Sequence, residues 1–116
     1  MNTKLSNYCL NSNVLTGIVS FSSSTIFTAM GNNYYFVFGR ILVVLLSFTL
    51  NSAKISKDNV ICGIPNISKI SPVSNVGILN VNTQAIYPIY TNGVSLLAGS
   101  DIPQGLYYST IPLLIA

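Results

Sequence analysis

Short blocks of β-branched, aliphatic and aromatic residues recur along this chain, separated by Ser, Asn, Gly and Pro, and no stretch holds a helical period for three turns. The blocks occupy 15–21, 25–30, 34–38, 41–50, 59–64, 76–81, 85–90, 94–98 and 106–115. Turn chemistry lies between them. Gly31-Asn32-Asn33 and Gly39-Arg40 offer positive φ, Pro65 ends a strand, and Thr91-Asn92-Gly93 carries the Asn-Gly pair of a tight hairpin. Ile102-Pro103-Gln104-Gly105 reads as a further turn, the polar stretch 51–58 as a loop, and 67–73, which contains Pro72, as irregular. The pattern predicts an all-β domain: an antiparallel β-sandwich or jelly roll of about eight or nine short strands over 14–116. Residues 1–13 form a polar lead-in. The run 41–50 is continuously apolar apart from Ser47 and Thr49, and predicts a central strand covered on both faces.

Composition sharpens this picture. Half of the 116 residues are hydrophobic and only 6% are charged, where an ordinary soluble domain carries about 25%. The length suits one domain. The sparse charge, +3 formally, is scattered over Lys4, Arg40, Lys54, Lys57 and Lys69 against Asp58 and Asp101. No clustered basic face points to nucleic acid. The apolar run is about half the roughly 20 residues a spanning helix needs, and 1–13 lacks the apolar core of a signal peptide. Neither membrane insertion nor a secretory signal is expected. An uncharged, apolar-rich surface makes sense where much of it is buried between subunits, since obligate interfaces resemble a core cut in half.

The chemical inventory argues against catalysis. There is no His and no Glu, and Asp58 and Asp101 stand in different turns, where each serves as a turn former. A Ser or Cys nucleophile would have no imidazole base. No glycine-rich phosphate loop is present, and Cys9 and Cys62 lack the partners for a metal cluster. Cys62, inside Val60-Ile61-Cys62-Gly63-Ile64, reads as a small buried hydrophobe. No enzyme, cofactor or metal is expected. Tyr is the commonest aromatic, and its flat ring with one hydroxyl suits recognition of sugars and protein surfaces. Strand alternation turns one of Tyr34/Tyr35 and one of Tyr107/Tyr108 inward and the other outward.

From Gly39 onward the signals fall in a definite order. Gly39-Arg40-Ile41-Leu42-Val43-Val44 is followed by Val60-Ile61-Cys62-Gly63-Ile64-Pro65 and by Pro72. Ile89-Tyr90-Thr91-Asn92-Gly93-Val94 and Ile102-Pro103-Gln104-Gly105-Leu106-Tyr107-Tyr108 complete the series. In this order they resemble the C-terminal receptor-binding heads of bacteriophage tail fibres. The match covers about two-thirds of the chain, and it departs from such heads in lacking Trp. The resemblance implies a homotrimer in the virion, at the tip of the fibre. It also implies host attachment by binding a cell-surface saccharide or protein, with 1–13 as the end of a shaft or linker. The alternatives are a structural virion jelly roll without a ligand, such as a decoration protein, or a small membrane-associated protein. Such heads carry no fixed set of binding residues and meet the host through loops. Loops are where binding groups gather on a rigid scaffold, and the candidates there are Asn32, Asn33, Tyr34, Tyr90, Asn92 and Asp101. Their amides and carboxylate could bond sugar hydroxyls, and a Tyr ring could stack on a sugar face.

Overall fold

The computed structural model describes residues 14–31, 33–73 and 76–116. These residues form strands β1 (Val14–Ile18), β2 (Ser20–Phe21), β3 (Phe27–Ala29), β4 (Tyr34–Phe38), β5 (Ile41–Ile55), β6 (Val60–Gly63), β7 (Val76–Asn80), β8 (Ile86–Asn92), β9 (Ser95–Ala98) and β10 (Ile102–Leu114). All pairings are antiparallel, in the order β1-β4-β5-β10-β7-β8-β9-β6-β2, with β3 beside β5. The all-β, antiparallel, sandwich-like expectation holds.

The spine is the ribbon of β5 and β10, paired from Ile41↔Leu114 to Ile55↔Ile102. At about 3.4 Å per residue, the 15-residue β5 is comparable in length to the 51 Å longest dimension of the molecule. The two edges of the sheet are β1 and β2, and they are consecutive in sequence. The block 15–21, expected as one strand, divides at Val19. That residue is buried, and its N–H donates to the Asn33 carbonyl at 2.9 Å. Residues before it pair with β4 and residues after it with β6. One short segment therefore ties both edges together and leaves little open edge, the arrangement that suppresses edge-to-edge aggregation.

The core lies inside this fold. Leu42, Val44, Leu46, Phe48 and Leu50 of β5 point into it with Ile61, Ile64, Ile78, Ile89, Leu96 and Ile111. A row of rings joins the halves: Phe21, Phe27 and Phe48 pack with centroids 5.4–5.6 Å apart, Phe48 stacks on Tyr107 at 5.6 Å, and Tyr107 meets Tyr87 at 6.1 Å. Such pairs add specific geometry to their large buried area. Tyr35 and Tyr107 are inward and Tyr34 and Tyr108 outward, as alternation requires. Cys62 is fully buried, and burial pushes its thiol up to about 12; Cys9 lies outside the described residues.

Several sequence expectations are corrected. β5 is covered on one face only: even-numbered residues from Leu42 to Leu50 are buried, Val43, Leu45, Ser47 and Thr49 are half-buried, and Ile41 is half exposed. Length and apolarity suggested two covered faces, but the second face is apolar and open. The stretch 51–58 is a loop only beyond Ile55, because buried Ile55 and Ile102 extend the ribbon. For the same reason Ile102 to Gly105 begin β10 rather than forming a turn, and the register shift between Pro103 and Gly105 absorbs the proline. Thr91 and Asn92 are strand residues; the hairpin turns on Gly93 and Val94, with Asn92↔Ser95 paired and Gly93 at φ +65°, the sign that a two-residue hairpin turn demands. Gly39, at φ +60°, turns the β4–β5 hairpin as expected.

Candidate functional site: an uncharged outer face and its groove

The odd positions of β5 open onto a face built by six strands. Antiparallel partners share a side of the sheet, so Ile18 stands beside Tyr34, Phe36 beside Val43, and Phe38 beside Ile41. Across β10, Val43 faces Pro112, Ile41 faces Leu114, and Ser47 faces Tyr108. Beyond that, Tyr108 meets Leu79 and Leu79 meets Ile86. No charged residue stands among these positions. Ile86 is 72% exposed, Ile18 69%, Leu114 51%, Ile41 50%, and Phe38 and Tyr108 47% each. Single exposed aliphatic residues are ordinary; a continuous apolar face of this extent marks an interaction surface.

Part of the face is concave. β10 pairs with β7 only at Tyr107 and Tyr108. One residue on, the Ser109 hydroxyl donates to the Gly77 carbonyl at 2.7 Å, a side chain standing where the ladder would continue. The strands part there, and the opening is a groove of about 560 Å³ walled by Leu45, Ser47, Leu79, Ile86, Tyr108 and Thr110. Gly77 keeps its floor low, since a Cβ there would meet Ile86 Cγ2 at 2.7 Å and the Tyr87 carbonyl oxygen at 2.9 Å. The groove offers an outward Tyr ring, aliphatic walls and the hydroxyls of Ser47, Tyr108 and Thr110. Its chemistry is therefore neutral: hydrogen bonds and stacking, with no acidic or basic side chain among its walls.

The loop residues singled out from sequence fall in three places. Asn32 lies outside the described residues. Asn33 is buried: its Nδ2 donates to the Ser47 carbonyl at 3.0 Å and its Oδ1 accepts the Ser47 N–H at 2.7 Å. β4 pairs with β5 up to Val44 and β3 from Phe48 onward, so the Asn33 amide fills the gap in the ladder and holds Ser47 against the groove. Tyr34 is exposed on the outer face, packed edge-on against Phe36 with centroids 6.3 Å apart.

Tyr90 and Asp101 belong to a different surface. The Tyr90 hydroxyl donates to Asp58 Oδ1 at 2.8 Å. That bond, burial and the charge of Asp58 push the Tyr90 hydroxyl up. Asp58 itself adopts φ +72°, which Asp tolerates in turns. Asp101 Oδ1 accepts the Lys57 N–H at 2.9 Å and Oδ2 the Lys54 ammonium at 3.2 Å, and these contacts hold its carboxyl below the usual range. Both ends of the ion pair are well exposed, so it contributes little. These contacts fasten the loop after β5 to the residues before β10. Asn92 is exposed beside the Gly93 turn. The structure therefore does not gather the five described candidates into one site. Sequence reasoning passed over Leu79, Ile86 and Thr110, whose only signal was an outward position on strands expected to be ordinary.

No protein family, curated protein or solved structure matches this chain. The geometry of the outer face therefore stands alone as a guide to function.

Proposed function

We propose that this chain is a non-enzymatic adhesion module that recognises a cell-surface saccharide or protein, acting in the manner of a phage tail-fibre head and as a homotrimer. The observation that supports the reading best is the groove between β5, β10 and β7. It is open, uncharged, and combines one outward tyrosine with three hydroxyls and aliphatic walls. Recognition sites for neutral ligands are built this way, from apolar surface and a few placed polar groups. The Tyr108 ring suits the apolar face of a pyranose, and Ser47 and Thr110 suit its hydroxyls. The two described carboxylates are meanwhile engaged by Tyr90, Lys54 and Lys57.

The test is a neutral-glycan array together with adsorption to candidate host cells, run on the parent, Tyr108→Ala and Ile86→Asp. Both side chains point outward, so the variants keep the parent's melting curve. The reading expects glycan or cell binding by the parent and at least a tenfold loss in each variant. Parent binding that both variants retain places the ligand elsewhere. Silence of the parent across glycans and strains favours a structural virion protein.

A further inference from the structure

Beyond the groove the outer face continues across β5 to Ile18 and Tyr34 and, along the strands toward the Gly39 turn and Leu114, over Phe38, Ile41 and Leu114. We propose that this half of the face is the boundary between copies of the chain. The inference rests on the reading above in that copies of the chain associate, and it goes beyond the trimer: the contact is isologous, this patch meeting the same patch of a second copy about a twofold axis.

Area and charge both select a second copy as the occupant. The five side chains are 37–69% exposed. At about 150–250 Å² for a fully open large side chain, they leave roughly 500 Å² of apolar surface, and the half-buried Phe36 and Val43 bring the patch to about 600 Å². Two such patches meeting would bury about 1,200 Å², the lower bound of a specific, stable interface. A twofold contact sets each group against its own kind or a near neighbour, so a charged face would repel itself. This patch holds no charge. Arg40 stands at the rim in the Gly39 turn, with its Nε donating to the Ile115 carbonyl at 3.3 Å. The Lys54–Asp101 pair lies at the other end of the β5–β10 ribbon. The face is also regular and preformed, because β4, β5 and β10 are paired along it, so little ordering opposes association.

The test is mass by light scattering after size exclusion, at micromolar concentration, for the parent and for Phe38→Lys/Ile41→Lys. The parent is expected at an even multiple of the 12.5 kDa chain mass, and the variant at half the parent's mass with a cooperative melt. A parent at single-chain or threefold mass overturns the proposal, as does a variant that stays at the parent's mass. Should the double variant fail to fold, Ile18→Cys in a Cys9→Ser background, spin-labelled, reads the same contact: dipolar broadening between labels supports it and its absence overturns it. Binding of a monomeric parent to phosphatidylcholine vesicles overturns the proposal in favour of a lipid surface. Glycan binding is scored separately, so a monomer that binds glycan removes the subunit boundary and leaves the recognition site standing.

Discussion

Val43 and Val44 are neighbours in the middle of β5 and chemically identical, yet the fold assigns them opposite fates. Val44 is fully buried, facing the core opposite Tyr35 and Ile111, whereas Val43 is half-buried on the outer face between Phe36 and Pro112. Aspartate at 44 would place a carboxylate among apolar side chains with no cation in reach. Such an unpaired buried charge costs several kcal/mol, and the lost valine burial adds about 1.5–3 kcal/mol. Together these approach or exceed the roughly 5–15 kcal/mol of total stability available to a small domain. Within a single chain, aspartate at 43 can turn its carboxylate to water and forfeits only part of the valine burial, about 1 kcal/mol, and should weaken the proposed contact between copies rather than the fold. Val44→Asp should therefore fail to accumulate as soluble, cooperatively melting protein, while Val43→Asp should fold with a modestly lowered urea midpoint. Soluble expression, circular dichroism and urea titration of the two variants decide the matter. Equal loss of folding in both would mean that β5 is covered on both faces; survival of Val44→Asp would mean that its register is wrong.

Four further outcomes rest on single side chains. A Cβ on Gly17 would sit 2.3 Å from the Tyr35 ring, and that ring cannot retreat because it is buried and its hydroxyl donates to the Pro65 carbonyl at 2.6 Å; Gly17→Ala should cost about 1–3 kcal/mol by overpacking, read from urea curves. Asn33→Ala strips the Ser47 N–H of its acceptor while the Ser47 carbonyl keeps the Met30 N–H, so a loss of about 1–3 kcal/mol is expected, accompanied by faster amide exchange at Ser47. At high pH, Tyr90 and Tyr107 both titrate above the ordinary phenol, Tyr90 chiefly through Asp58 and Tyr107 chiefly through burial. A raised folded value means that the stabilisation is complete below the unfolded value near 10 and is lost as pH rises through the folded values, so melting temperature should fall above pH 10 and the ultraviolet titration of both phenols should lag that of the unfolded chain. Cys62, with its thiol at about 12, should resist aromatic disulfide reagents at pH 8 until the chain is denatured.

Periodicity made the strands readable because strand patterns are local: the alternation at 34–38 and the apolar blocks of β6, β7 and β9 needed no partner to be recognised. The single-sided burial of β5 was not readable. Val43 and Leu45 are as apolar as Val44 and Leu46, and only the course of the other strands decides which set is covered. The division at Val19 was equally hidden, since nothing in 15–21 says that its halves serve opposite edges. The structural part played by the candidate loops was hidden for a related reason. Asn33 and Asp101 have the chemistry of ligand-binding groups, and the same chemistry mends gaps in a ladder and fastens loops. The groove arises where β7 and β10 diverge, and divergence is a property of two segments far apart in sequence.

The measurement that bears most directly on the recognition site is amide chemical-shift mapping of the labelled protein, titrated with the neutral saccharides that score on an array. The account predicts saturable shifts at Leu45 to Ser47, Gly77 to Leu79 and Tyr108 to Thr110, with the amides of Lys57, Asp58 and Asp101 unmoved. Shifts confined to those loop residues or to the Asn92–Gly93 turn, or no saturable shift anywhere, would contradict it.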